Sequence, residues 1–236
     1  MKKKRIVVLS GAGISAESGL DTFRDADGLW EGHDVMQVAS PQGFSRNPGL
    51  VLEFYNQRRR QLLGVSPNAG HTALVRLEER YDVHIVTQNV DNLHERAGSS
   101  QVIHLHGELL KARSTVDEHY VLDWPRDLVV GDRDPKGHQL RPHIVWFGEM
   151  VPLLDRAAAI TQGADILIIV GTSMQVYPAA NLIHYVKVGT PIYFVDPRPS
   201  VRASDFEGLE LIAKTAAIGV PALVDQLMER PWTQGG

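Results

Sequence analysis

An open, mostly parallel α/β sheet is the architecture this sequence predicts. Three observations point to it: short apolar runs with few internal charges recur along the chain, helix-like segments separate them, and a glycine-rich turn, Ser10-Gly11-Ala12-Gly13, follows the first run directly. Uninterrupted apolar runs suit strands covered by helices on both faces.

Each element has a local signal. Residues 5–9 form the first strand, 83–87, 165–170 and 191–195 repeat its pattern, and 209–213 is a shorter candidate. Asn47-Pro48 offers a helix cap followed by proline at the first helical position, where a missing N–H costs nothing, and Gly64 closes that helix. Ser66-Pro67 opens a helix running to about residue 80, and the short helix 91–97 is stopped by Gly98. Segments 152–162 and 178–187 each begin with proline near the first turn, and 220–229 is the last helix. Two stretches break the rhythm. Residues 18–45 are rich in glycine, aspartate and aromatics, and 111–142 carry Gly131, Pro135, Gly137 and many charges. These two insertions are expected to pack together as a small second module, leaving 1–17, 46–110 and 143–236 as a Rossmann-like large domain.

Composition narrows the function classes. The chain has 236 residues, 43% hydrophobic and 22% charged, an ordinary globular balance with enough length to bury a core unaided. Lys+Arg 24 against Asp+Glu 28 gives −4, which lends no support to a nucleic-acid partner. The absence of cysteine excludes a disulfide framework, a thiolate zinc site and a cysteine nucleophile, and suits a reducing cytoplasm. The basic residues before Ile6 precede an apolar run too short for a signal peptide (about 7–15 residues) or a spanning helix (about 20), so no membrane partner is expected.

Glycines in the first strand-to-helix turn permit a tight bend and let backbone N–H groups approach a phosphate, and in a parallel sheet that turn is a dinucleotide site. Gly11, Gly13 and Ala16 satisfy G-x-G-x-x-A. An ordinary dehydrogenase also needs a second strand ending in an acid about 20 residues on. Glu31 and Asp34 have that spacing, yet the run from Asp27 to His33 does not read as a strand. The nucleotide is therefore expected to be held differently.

The motifs taken together resemble the sirtuin family. Gly11-Ala12-Gly13-Ile14-Ser15-Ala16-Glu17-Ser18-Gly19-Leu20 with Thr22-Phe23-Arg24 and Gly28-Leu29-Trp30 is similar to its first signature, and Thr87-Gln88-Asn89-Val90-Asp91-Asn92-Leu93-His94 to its second. His104-Leu105-His106-Gly107, the run from Arg141 to Glu149, and Gly171-Thr172-Ser173 follow in family order. The resemblance implies an NAD-dependent protein lysine deacylase. In that reaction the acyl oxygen of a modified lysine attacks the carbon bearing nicotinamide, nicotinamide leaves, and the acyl group ends on the ribose of ADP-ribose.

The resemblance also implies roles. His106 becomes the general base, for which an imidazole with an ordinary pKa near 6.5 is suited. Asn89 orients the reactive ribose. Asp91 and the Val90 backbone face the nicotinamide, although Asp91 could equally be a helix cap. Gln88 joins them at the carboxyl end of a strand. Gly11, Ala12, Gly13, Ser15, Glu17, Thr22, Phe23, Arg24 and Trp30 belong to the cofactor side, with Arg24 in a mobile loop. Gly171, Thr172 and Ser173 offer donors to a phosphate or ribose. Asp196 stands where the family often has asparagine at the adenosine ribose, and Ala216 matches the adenine side loosely. Val145, Phe147 and Gly148 line the acyl-lysine channel.

Ala39, Tyr55 and Arg58 bear on the acyl group. Tyr55 and Arg58 are i and i+3 on a predicted helix and share a face. A phenol beside a guanidinium makes a receptor for a carboxylate, and Ala39 leaves room for a longer chain. The trio looks like the sirtuin class, in its bacterial branch, that removes succinyl and malonyl as well as acetyl groups. A solvated basic face formed by Arg58, Arg59 and Arg60 is the plainer reading.

Besides Asp196, the sequence departs from the family at the zinc ligands. Most sirtuins hold zinc with four cysteines after the third motif, whereas here Ser114 stands near the first position and Asp117, His119, Asp123 and His138 lack compact ligand spacing, so no metal is expected. The segment must then hold itself through Tyr120, Val121, Leu122 and Trp124. NAD hydrolysis, ADP-ribosyl transfer and a non-catalytic NAD-sensing module are the other functions these residues could serve.

Overall fold

The computed structural model describes residues 3–21, 29–30 and 32–229. In chain order it contains β1 (Arg5–Ser10), 3₁₀ turns at Ala12–Ile14 and Ala16–Ser18, β2 (Leu29–Trp30), β3 (His33–Asp34), α1 (Val35–Val38), α2 (Pro41–Arg46), α3 (Pro48–Gly64) and α4 (Ala69–Leu77). Next come β4 (Asp82–Thr87), α5 (Leu93–Ala97), β5 (Val102–His104), β6 (Gly107–Ser114), β7 (Val121–Asp123), β8 (Leu140–Ile144), α6 (Leu154–Gln162) and β9 (Ile166–Val170). A 3₁₀ segment at Ala179–Tyr185, β10 (Ile192–Val195), a 3₁₀ turn at Ala203–Asp205, β11 (Leu209–Ile212) and α7 (Ala216–Glu229) complete the described chain.

Six strands form one parallel sheet in the order β11-β10-β9-β1-β4-β5. The chain leaves β1 for β4 and β5, then crosses back to build β9, β10 and β11 on the other side. Strand order reverses between β1 and β9, the place where open α/β sheets take ligands beyond the carboxyl ends of their strands. β2 and β3 pair antiparallel outside this sheet, so among the described residues the large sheet contains no acidic second strand of a dehydrogenase.

Helices cover both faces of the sheet. Ile6, Val8, Ile85, Ile168 and Val195 meet α4 and α7 through Leu74, Leu77, Val220 and Leu223. Val7, Leu9, Val86, Leu167, Ile169 and Phe194 point the other way, onto Ala157, Leu182 and Ile183. The two-residue alternation of a strand sends neighbours to opposite cores. Fully burying each of the larger side chains is worth about 1.5–3 kcal/mol.

A separate antiparallel sheet, β7-β6-β8, leans on α3. Leu52 of α3 joins Ala112, Trp124, Leu128 and Leu140 in one cluster. Val51, Phe54 and Tyr55 join Val38, Ala39, Leu109, Ile144 and Trp146 in another, and Phe44 packs against both. From the first insertion, Phe44 thus touches the cluster that holds Ala112, Trp124, Leu128 and Leu140 beside α3. Of the residues expected to hold the 111–142 segment, Trp124 is buried, Tyr120 and Leu122 pack partly against it, and Val121 is exposed.

Several boundaries follow their caps. Asn47 accepts from the Leu50 N–H at 3.1 Å ahead of Pro48, and α5 stops at Gly98 with φ of 112°. α4 begins at Ala69 rather than near Ser66, because Asn68 accepts from the Gly70 N–H at 2.9 Å while its own N–H donates to His71 Nδ1 at 3.3 Å. α7 begins at Ala216, ahead of the expected 220, and carries Pro221 inside it. Its open first turn is closed by Glu17, whose carboxylate accepts from the Ala217 N–H at 2.8 Å. The 178–187 segment is a 3₁₀ stretch rather than an α-helix, in keeping with its Asn181, Ile183, His184 and Tyr185, all weak helix formers.

One polar knot was not foreseen. Asp134, 6% exposed, accepts at Oδ2 from the Ser114 hydroxyl (2.7 Å) and His138 Nδ1 (3.0 Å), and at Oδ1 from the N–H groups of Lys136 (2.8 Å) and His138 (2.9 Å). Burial opposes its ionisation, but these donors prevail and hold the carboxyl below the usual carboxylate range. The knot ties β6 to the 134–138 turn across a segment that has no cysteine. Asp134→Asn places an amide N–H₂ among donors. It should lower the midpoint of thermal unfolding followed by circular dichroism, and an unchanged midpoint would show that the knot adds no stability.

Candidate active site

Beyond the carboxyl ends of β1, β4 and β9 lies a groove of about 1390 Å³. Gly11, Ala12, Gly13 and Ser15 line it from β1, Gln88, Asn89, Val90 and Asp91 from β4, and Gly171, Thr172 and Ser173 from β9. Asp196 and Trp30 also reach it, together with Arg198 and Ser200, which sequence reasoning did not single out. Glu17 and Ala216 do not line the groove. Glu17 is engaged in capping α7, and Ala216 is buried beside Gly70. Thr22, Phe23 and Arg24 lie outside the described residues.

The glycines act differently from the expectation that they bare N–H groups to a phosphate. Gly11 donates its N–H to the Val170 carbonyl at 3.0 Å and Gly13 to the Gly171 carbonyl at 2.7 Å. A Cβ on Gly13 would lie 2.6 Å from the Gly171 Cα, and one on Gly171, at φ +61°, 2.3 Å from the Ile14 nitrogen. The turns after β1 and β9 interlock backbone to backbone, and hydrogen is the only side chain that fits between them.

A chain of hydrogen bonds sets the β4 loop. Asn89 Nδ2 donates to Ser15 Oγ at 3.2 Å, and the Ser15 hydroxyl donates to Asp91 Oδ2 at 2.9 Å. Asp91 Oδ1 accepts from the Leu93 N–H at 3.0 Å, one residue ahead of Asn92, which is the cap residue of α5, and Asp91 also lines the groove. Burial raises the Asp91 pKa, and the bonds from Leu93 and Ser15 offset part of that rise. Gln88 Nε2 donates to Thr172 Oγ1 at 3.2 Å, bridging the β4 and β9 loops.

The two histidines of the third motif have different surroundings. His106 lines the groove, and its Nδ1 lies 3.0 Å from the Gln88 carbonyl. A carbonyl oxygen only accepts, so Nδ1 carries the hydrogen and a neutral ring keeps its lone pair on Nε2. Burial pushes the His106 pKa below the ordinary histidine value, and the bond to Gln88 recovers part of the shift. His104 does not line the groove and bonds the Asn89 carbonyl and Glu95 instead. Gly107 follows His106 at φ +82°, and the His106 carbonyl accepts from the Val145 N–H at 2.9 Å.

The far wall of the groove comes from α3 and the turn after β8. Ala39, Tyr55, Arg58, Val145, Phe147 and Gly148 all line it. Three consecutive arginines have three fates. Arg58 faces the groove with its guanidinium 3.3 Å over the Phe54 ring. Arg59 is fully buried, donating to the Leu109 carbonyl at 3.1 Å and to Asn56 at 2.6 Å. Arg60 is exposed and pairs with Asp127 at 2.5 Å and Glu53 at 3.1 Å. The solvated basic face therefore reduces to Arg60. Tyr55, 1% exposed, accepts at its oxygen from the Trp146 indole N–H at 2.9 Å, and burial raises its pKa. The turn itself is braced by groups to which no role was assigned from sequence. Arg141 grips Glu149 through two bonds of 2.6 and 3.0 Å, Arg113 adds a third at 3.2 Å, and Glu149 accepts from the Trp146 N–H at 2.7 Å. An arginine and a glutamate flanking Trp146-Phe147-Gly148 were the available signal.

One groove at the switch point, with an imidazole oriented by a backbone carbonyl at one end and the α3 wall at the other, suits a nucleotide-dependent group-transfer enzyme. Comparison with known proteins agrees with that class and narrows it. The Sir2 family model matches residues 11–178. An NAD-dependent protein deacylase of Helicobacter pylori strain 26695 is 55% identical over 226 residues, 96% of this chain and 98% of that one. One from Bacteroides thetaiotaomicron is 51% identical over 234 residues, 97% of this chain and 100% of its own. A crystal structure of a Sir2 homologue in complex with NAD superposes with a TM-score of 0.86 at 38% identity, over 96% of this chain and 90% of that one. The chain belongs to the Sir2 family. It is an NAD-dependent protein deacylase that uses NAD as co-substrate.

The residues present fit NAD. The groove is continuous from the interlocked loops to the α3 wall, and Asn89, Thr172 and Asp196 place an amide, a hydroxyl and a carboxylate along it, all able to bond sugar hydroxyls. Among the described residues no group of three or more histidine, aspartate or glutamate side chains could hold a metal ion. No helix among them is long and apolar enough to cross a membrane.

Proposed function

We propose that the enzyme removes acidic acyl groups, succinyl and malonyl, as well as acetyl from protein lysines, with His106 as general base. The observation that carries the acyl assignment is that Tyr55, Arg58 and the small Ala39 all line the same groove. A terminal carboxylate entering there meets a guanidinium for charge and a phenol hydroxyl for a directed bond.

When bound, NAD supplies the electrophilic ribose carbon and the hydroxyls to which the acyl group is passed. The protein does the rest. Asn89, whose Nδ2 donates to Ser15, keeps its Oδ1 as the acceptor for a ribose hydroxyl. His106 accepts a proton at Nε2, its ring held by Gln88. Val145, Phe147 and Gly148 border the path of the lysine side chain, and the Arg141–Glu149 pair keeps their turn in place.

Arg58→Met should lower desuccinylation by about ten- to hundredfold, the worth of one charge-assisted contact, and lower deacetylation far less. Matched acetyl- and succinyl-lysine peptides with NAD, followed by mass spectrometry of free lysine and acyl-ADP-ribose, give both rates. An equal fall in the two activities would sink the carboxylate receptor. Nicotinamide release without any acylated peptide would favour NAD hydrolysis instead.

A further inference from the structure

We infer that His104, kept as an imidazolium by Glu95, is a positioning residue that fixes the backbone carbonyl of Asn89 and through it the carboxamide facing the groove. The inference rests on the roles proposed above for Asn89 and His106.

The geometry is one-sided. His104 Nδ1 lies 2.9 Å from the Asn89 carbonyl oxygen and Nε2 lies 2.7 Å from Glu95 Oε1. Both partners accept, so both ring nitrogens must donate, and only the protonated ring does that. A neutral ring can serve one acceptor and must release the other. The ring is 8% exposed, so water gives little help to the group released. His106 holds the preceding carbonyl, that of Gln88, at 3.0 Å. Consecutive carbonyls of the β4 loop are thus held by two imidazoles two residues apart, one charged and one neutral.

The neighbours favour this division. Glu95 on α5, Asp91 in the loop and Glu108 on β6 attract a charge at His104, while His94 on α5 opposes it. Lys111, paired with Glu108 at 2.8 Å, lies on the side of Glu95. Burial disfavours the cation, but the Glu95 bond prevails and raises the His104 pKa, and Glu95 is held below the usual carboxylate range in return. Because His106 must be neutral and His104 charged, turnover should require a pH above the first pKa and below the second. Asn89 is held at both ends, its carbonyl by His104 and its amide by Ser15.

Glu95→Gln tests this with little risk to the fold, since the Glu95 side chain is 39% exposed. Nitrogen NMR of the wild-type imidazoles at neutral pH should show both His104 nitrogens protonated and His106 protonated at Nδ1 alone. In Glu95→Gln the His104 signal should turn neutral, kcat should fall about ten- to hundredfold with KM for NAD within about twofold, and the alkaline limb of the kcat profile should move toward neutral pH. Glu95→Asp should restore part of each. A merely structural pair would lower stability and leave the pH profile in place. A neutral His104 in the wild type, or a Glu95→Gln enzyme with unchanged kcat and alkaline limb, would overturn the inference. A charged wild-type His104 together with a His106→Ala enzyme that turns over within tenfold of wild type would overturn the parent reading, and this inference with it.

Discussion

Replacing His106 with alanine is expected to lower kcat for NAD-dependent deacylation by about 10²- to 10⁴-fold, the range a positioned general base contributes. Among the described residues the ring makes one hydrogen bond, from Nδ1 to the Gln88 carbonyl, so its loss should cost activity far more than stability. The pH dependence has a definite sign. The base works only when neutral, and burial lowers its pKa. Activity should therefore persist as pH falls through the ordinary histidine range near 6.5 and fail only below it. The acid limb of kcat/KM measures this in the free enzyme. A His106→Ala enzyme within tenfold of wild type would remove His106 from the chemistry.

Gly107→Ala should be nearly as damaging by another route. The glycine sits at φ +82°, and a Cβ there would lie 2.0 Å from the His143 carbonyl oxygen and 2.9 Å from its carbon. Both atoms are backbone and cannot swing aside. Relief requires β8 to move or the 106–107 peptide to rotate, and either displaces the His106 ring. A displacement of about 1 Å costs on the order of a hundredfold in rate. We expect a comparable fall in kcat, with a lower unfolding midpoint. Gly137→Ala is the control: its φ is +87°, but nothing lies within 4 Å, so it should lose modest stability and keep its activity. Equal behaviour of the two variants would mean that backbone strain, not the His143 contact, governs the position.

The large sheet was legible because its chemistry is local. Apolar runs in β1, β9 and β10, and a mostly apolar one in β4, reflect burial on both faces, and Asn47-Pro48 and Gly98 carry their cap functions in the residues themselves. β5 and β7 were not legible, being three residues each and held by pairing rather than propensity. The Ser114–Asp134–His138 knot spans twenty residues between its first two members, so no spacing rule announces it. The groove residues came forward through ordered motifs, and most of them do meet in one cavity. What the motifs could not convey is which atoms are already engaged. Glu17 caps a helix 200 residues away, the amides of Gly11 and Gly13 are bonded across the sheet, and the His104 charge depends on Glu95, nine residues back.

The interlock of the β1 and β9 turns bears on how this enzyme can change its guests. At Gly13 and Gly171 a single added carbon would collide with main chain on the opposite turn. That end of the crevice behaves as a cast part, closed to remodelling by substitution. New acyl specificities, whether selected in nature or in the laboratory, should therefore arise from exchanges at Ala39, Tyr55 and Arg58, where side chains rather than backbone define the shape.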